Sequence, residues 1–174
     1  MDRLWSPWRY QYVSQQAPKT CIFCEKAAER RDPDNYVICR ARHNFILLNL
    51  YPYTTGHLMI APFEHVATLE AAAPETLEEM MRLTRLSEAS LRAVYRPRGL
   101  NIGMNIGECA GAGVAGHIHM HVLPRWPADA SFLTTIGETR VLPEDLPTSY
   151  RRLLEAFRDR ARTAGLSLSF PATP

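Results

Sequence analysis

Seven residues, His117-Ile118-His119-Met120-His121-Val122-Leu123, constrain this chain more than any other segment. Side chains alternate between faces along an extended strand, so the run places three imidazoles on one side and Ile118, Met120 and Val122 on the other. The apolar side demands a core to bury against. Half of the chain's six histidines stand here at two-residue spacing, which points to chemistry on the other side. Two arrangements suit it: a metal held by neighbouring imidazoles, or a nucleophilic imidazole with a helper on each flank.

The loop that enters this strand carries glycines at 107, 111, 113 and 116. Glycine loops are often plain turns, but one that leads into three imidazoles can also turn backbone N–H groups on an anion and hold a phosphoryl group against a nucleophile. Upstream, Cys21 and Cys24 have the spacing of half a tetrahedral zinc site, and equally that of a redox pair or of two unremarkable thiols. Cys39 and Cys109 read as ordinary buried thiols.

The remaining pattern supplies a frame for these groups. An aromatic opening (Trp5, Trp8, Tyr10, Tyr12) precedes the cysteines, and one or two helical turns follow them before Asp32-Pro33-Asp34. Strands are predicted over residues 36–40, 43–50 and 56–61 as an antiparallel meander, with further strands over 100–106 and 117–123. Pro74 to Tyr95 reads as one long helix, with Leu77, Met80, Met81, Thr84, Leu91, Val94 and Tyr95 at helical spacing. Tyr150, Leu153, Leu154, Phe157 and Ala161 mark a second helix, closed by Gly165. Antiparallel strands with two helices give an α+β domain.

The formal net charge is only +2 over 174 residues, so neither nucleic acid nor an anionic membrane is expected as the main partner. The arginines at 151, 152, 158, 160 and 162 read as a solvated helix face. No stretch approaches the run of about 18 apolar residues that a membrane span needs, and the start lacks a secretory plan, so a cytoplasmic location is expected.

Taken together, His117-Ile-His119-Met-His121-Val-Leu, the following Pro124-Arg125-Trp126, the upstream Gly56-His57-Leu-Met-Ile-Ala-Pro62 with His65, and Cys21-Ile-Phe-Cys24 resemble the histidine-triad superfamily of nucleotide hydrolases and transferases. The resemblance covers roughly residues 20–126. With Ala110-Gly-Ala-Gly-Val114 and Asp129-Ala-Ser-Phe132, the chain looks most like the bacterial branch that includes diadenosine tetraphosphate phosphorylases. It implies one domain over 1–174, with its core at 20–126 and a C-terminal extension with a helix at 127–174. The implied fold has about five antiparallel strands, one long helix and one C-terminal helix.

For the site, the resemblance implies His119 as nucleophile on a nucleotide α-phosphorus, with His117 and a protonated His121 in support and His57 as a further active-site histidine. Asn49 matches the position that holds the ribose hydroxyls. Asn105 and the backbone of Gly111, Ala112, Gly113 and Val114 are the implied phosphate cradle. Cys21, Cys24, His65 and His117 are the implied ligands of a structural zinc, and a homodimer is implied as the assembly. The expected substrate is a dinucleoside polyphosphate or a similar adenylylated compound, with inorganic phosphate or water as acceptor. Many triad hydrolases carry a glutamine or serine-type side chain just before the histidine strand; here the stretch is Gly111-Ala112-Gly113-Val114, which favours phosphate. Two rivals stand beside this reading: a nucleotide-binding regulatory module with weak turnover, and a zinc hydrolase that uses His117 and His119 as metal ligands.

Overall fold

A computed structural model describes residues 20–127, 129–130, 132–137 and 141–172; the aromatic opening lies outside these residues. Five strands form one antiparallel sheet: β1 (Val37–Arg40), β2 (Asn44–Leu48), β3 (Leu58–Pro62), β4 (Gly99–Gly103) and β5 (Met120–Arg125), in the order β1-β2-β3-β5-β4. Helix α1 spans Ile22–Glu29, α2 spans Pro74–Tyr95, α3 is the single turn Phe132–Thr135, and α4 spans Leu146–Thr163. The expected α+β architecture, meander and long helix are all present.

The strand period sorts side chains into two apolar layers. Ile46 and Leu48 of β2, Leu58 and Ile60 of β3, and Val122 of β5 face a layer built with Met80, Leu83 and Leu91 of α2 and Leu153, Leu154 and Phe157 of α4. Phe45, Leu47, Met59 and Ala61 face the other way, against Phe23 of α1. Burial on both faces explains why β2 and β3 are apolar throughout rather than alternating. Since His121 pairs with Met59 across the β3–β5 ladder, the histidine face is the Phe23 face, while Ile118 and Val122 belong to the helical layer.

The histidine strand begins at Met120, three residues later than the alternation predicts, and Pro62 explains the delay. In the β3–β5 register Ile60 stands opposite Met120, so two residues further on the next hydrogen-bonded pair would be Pro62 and Ile118. Proline has no N–H to give the ladder. Ile118 instead donates its N–H to the carbonyl of Val66 at 2.8 Å, and His117 and His119 hang just outside the sheet. At the other boundary, β4 ends at Gly103 rather than at residue 106.

Helix α2 is fastened to the sheet by Glu79, whose carboxylate accepts the backbone N–H groups of Arg42, His43 and Asn44. Met80 and Leu91 are buried in the core, whereas Met81 is 60% exposed. Helix α4 starts earlier than its apolar spacing suggests because Asp145 caps it, accepting the N–H of Thr148 at 2.8 Å. Helix α1 is held from below by Arg40. Its guanidinium donates to the carbonyls of Lys26 and Ala27, at the C-terminal end of the helix, and pairs with Asp32.

Candidate active site and metal cluster

Four histidines from three parts of the chain meet at the start of β5. His57 ends the loop after β2, His117 and His119 precede β5, and His121 lies within it; all four are buried. The rings of His119 and His121 are 4.8 Å apart in a T-shaped contact, and those of His57 and His121 are 5.0 Å apart.

The hydrogen bonds decide which nitrogens carry protons. Nδ1 of His119 lies 2.9 Å from the carbonyl oxygen of His117, which only accepts, so Nδ1 holds the proton and Nε2 keeps a free lone pair. His57 is the reverse. Its Nδ1 receives the N–H of Tyr53 at 3.1 Å, so its proton sits on Nε2, which donates to Nδ1 of His121 at 2.8 Å. Nδ1 of His121 is thereby an acceptor, and its proton is on Nε2. Neighbouring rings thus offer opposite valences: a lone pair on His119 and an N–H on His121.

Burial keeps all of these rings neutral. Desolvation lowers the pKa of His119 and His117, pushes that of His121 down to about 4, and pushes that of His57 down to about 3, with the charges of its neighbours adding to the effect. In the nucleotide-free protein His121 is thus held neutral, whereas the expected role has it protonated. At neutral pH it donates as a neutral imidazole in a fixed tautomer.

A second cluster shares His117. The donor atoms of Cys21, Cys24, His65 and His117 all lie within 4.8 Å of one another. Nδ1 of His117 is 3.3 Å from Sγ of Cys21 and 3.7 Å from Sγ of Cys24, and Nδ1 of His65 is 3.4 Å from Sγ of Cys24. Zinc–sulfur and zinc–nitrogen bonds of about 2.3 and 2.0–2.1 Å in a tetrahedron put sulfur and nitrogen about 3.6 Å apart, so the donor set fits that ion. The other nitrogen of His117 donates to the carbonyl of Pro62 at 2.9 Å, which frees Nδ1 as a ligand and orients the ring. Both nitrogens of His117 are thus committed away from His119, which argues against a catalytic metal shared by those two rings.

Phe23 lies between the two clusters, its ring 5.2 Å from that of His117 and 4.8 Å from that of His119. Neither it nor Tyr53, whose ring is 4.7 Å from His57 and 6.0 Å from His121, is singled out by residue spacing. Asn49 touches His57 rather than standing open: its side-chain nitrogen is 3.3 Å from Nδ1. Asn105 is half-buried two residues beyond β4, where continuing the β4–β5 register would set it opposite His119.

The glycine loop folds on itself. A single 3-10 turn, Glu108–Ala110, is flanked by Gly107 and Gly111 at φ +83° and +86°. The N–H of Ala112 closes back on the carbonyl of Gly107 at 3.4 Å, so in the nucleotide-free protein that amide is engaged within the loop. Cys109 is exposed on this turn, which corrects the expectation of a buried thiol; Cys39 is fully buried as expected.

The family described as HIT domain matches residues 30–128. The chain is 37% identical over 163 residues to a protein named AP-4-A phosphorylase from Mycobacterium tuberculosis, a match spanning 88% of this chain and 83% of the relative. It is 28% identical over 142 residues to an asymmetrical bis(5'-nucleosyl)-tetraphosphatase from Schizosaccharomyces pombe, over 71% of this chain and 78% of the relative. Among solved structures, a zinc-bound histidine triad family protein from Mycobacterium smegmatis superposes with a TM-score of 0.65 at 28% identity, covering 83% of this chain and 97% of its own.

The depressed histidines predict a pH dependence of stability. An unfolded histidine binds its proton near pH 6.5, whereas folded His57 and His121 do so only near 3 and 4. Above pH 6.5 neither state takes up these protons. As the pH falls from about 6.5 towards 4, the unfolded chain binds protons that the folded rings refuse, and stability drops by up to about 1.4 kcal/mol per pH unit for each ring. Urea unfolding followed between pH 7 and 4.5 checks this; a flat free energy across that window would contradict it.

Proposed function

The chain belongs to the HIT domain family, and on that premise we propose that it transfers the nucleotidyl group of a dinucleoside polyphosphate of the diadenosine tetraphosphate type, through a covalent bond to His119. The observation that carries this reading is the pair of opposite valences on adjacent buried rings. Nε2 of His119 has a lone pair because Nδ1–H is held by the His117 carbonyl, and Nε2 of His121 has a proton because His57 donates to its Nδ1.

In the proposed first step, Nε2 of His119 attacks the α-phosphorus and the bond to the bridging oxygen breaks. The N–H on Nε2 of His121 donates a hydrogen bond to the departing nucleoside polyphosphate, which leaves as its anion. In the second step an oxygen of inorganic phosphate attacks the nucleotidyl-histidine, returning the lone pair to Nε2. Diadenosine tetraphosphate and phosphate give ATP and ADP; water in place of phosphate gives ATP and AMP. Two observations favour phosphate: the 37% identity to a named phosphorylase, and the bare Gly111-Ala112-Gly113-Val114 segment, which offers no side chain to position a water.

Replacing His119 by Ala should lower turnover by at least a thousandfold while the fold persists. The wild-type protein incubated with diadenosine tetraphosphate should release ADP only when phosphate is supplied. AMP as the product at physiological phosphate would assign water as the acceptor, and more than a tenth of the activity left in the variant would sink the covalent route.

We further propose that Cys21, Cys24, His65 and His117 hold a structural zinc. Four protein donors leave no open position for water, so the ion would anchor α1 to the start of β5 rather than react. The M. smegmatis neighbour is described as zinc-bound, which supports the same reading. Cys21→Ser should reduce metal content and melting temperature together; full metal occupancy in that variant would contradict the ligand set.

The proposed assembly is a homodimer that joins the open edges of β4. The β1 edge is partly closed by Ser169, which exchanges two backbone hydrogen bonds with Arg40. By contrast, among the described residues β4 pairs only with β5, and Asn101, Ile102 and Gly103 are exposed along it. An open edge with an exposed isoleucine is a surface that two-fold pairing would satisfy. Sedimentation at micromolar concentration should give twice the 19.7 kDa of one chain, and a species at the monomer mass would refute the dimer.

A further inference from the structure

The loop between β2 and β3 controls a proton position at which it does not itself react. Asn49 begins this loop and His57 ends it. The amide of Asn49 has one end fixed by the backbone: its Oδ1 lies 3.0 Å from the N–H of Tyr51, which only donates, so oxygen must face Tyr51 and the NH2 group must face His57. Nδ2 then approaches Nδ1 of His57 at 3.3 Å, and the N–H of Tyr53 approaches the same nitrogen at 3.1 Å. Two donors converge on one ring nitrogen, and neither can accept a proton from it.

We infer that Asn49 is a positioning residue that, with the Tyr53 amide, sets the tautomer of His57 and through it the proton that His121 presents. The chain of consequences has no free choice in it. With Nδ1 of His57 receiving, Nε2–H must donate; Nδ1 of His121, 2.8 Å away, must receive; Nε2 of His121 must then carry the remaining proton. Burial of His57 and His121 removes the water that would let either ring choose otherwise. A carboxylate at position 49 would oppose the first link, because it favours a proton on Nδ1 against the N–H of Tyr53. This role is separate from contact with a ribose, which acts on binding rather than on the tautomer of a ring two bonds of the network away. The inference rests on the proposed nucleotidyl transfer only for its kinetic consequence.

Long-range proton–nitrogen correlation spectra of the resting protein, without nucleotide, read the tautomers directly. Between pH 6.5 and 8, Nδ1 should be unprotonated in His57 and His121 and protonated in His119. A protonated Nδ1 on wild-type His57 would overturn the inference with no variant needed. In Asn49→Asp, whose carboxylate only accepts, the Nδ1 signal of His57 should move into the protonated range, and kcat on diadenosine tetraphosphate should fall at least tenfold. An unmoved Nδ1 signal or an unchanged kcat would overturn the inference. If the protein failed to turn over dinucleoside polyphosphates at all, the spectra would still decide the tautomers, so the two readings fail separately.

Discussion

Much of this architecture hangs on the residue at which β5 leaves its ladder. Pro62 has no N–H for Ile118, so the chain before Met120 is released from the sheet, and the carbonyl of Pro62 is claimed instead by the side chain of His117. That one bond has three effects. It directs Nδ1 of His117 to the two cysteines, it commits both ring nitrogens away from the neighbouring imidazole, and it holds the backbone whose carbonyl fixes His119. The Cys/His donor cluster and the setting of the His119 ring thus both depend on a single residue, its side chain serving one and its main chain the other.

The electrostatics follow from the packing. Four imidazoles in so small a space would repel one another strongly if charged, and Phe23, Tyr53 and the apolar strands exclude the water that would screen them. Neutral rings, however, have a choice of tautomer, and a neutral pair can bond in either sense. Backbone groups break that symmetry here because a carbonyl only accepts and an amide N–H only donates. The His117 carbonyl sets one ring, and the Tyr53 amide, joined by the side chain of Asn49, sets the other two in series. Such groups do not titrate, so the polarity of the site is as durable as the fold.

Sequence patterning foretells the frame and only part of the site. The meander, the extent of α2 and the separation of the histidine face from the Ile118 and Val122 face follow from period and punctuation, because burial enforces both. The convergence of Cys21 and Cys24 with His65 and His117 is implied by resemblance, not by spacing, since 41 and 93 residues of chain separate the two histidines from Cys24. What period could not reveal was polarity within the site. Which nitrogen of His57 is protonated depends on a backbone amide four residues earlier, and the exposure of Cys109 depends on a turn that buries none of its residues. The late start of β5 was encoded in Pro62, but only the register shows that this proline stands opposite Ile118.

The C-terminal helix, remote from the four histidines in sequence, completes the mechanical argument. Gly56, directly before His57, has φ +76°, and a Cβ there would lie 2.7 Å from Cε2 of Tyr95 and 3.2 Å from Cδ2 of Leu91. The backbone therefore rests directly on the end of α2. The Tyr95 ring that supports it is braced in turn by α4 and the segment before it: its hydroxyl donates to Glu144 at 2.5 Å, and Arg152 pairs with that carboxylate while lying over the ring. Glu144 also accepts the hydroxyl of Ser149 at 2.8 Å, which ties the support to the first turn of α4. A loop whose task is to aim one N–H at one ring nitrogen needs a rigid floor, and glycine is the residue that lets the main chain lie against an aromatic face in this conformation. The segment beyond residue 127 is thus part of the same device as His57, joined to it through Tyr95 rather than by contact with any histidine.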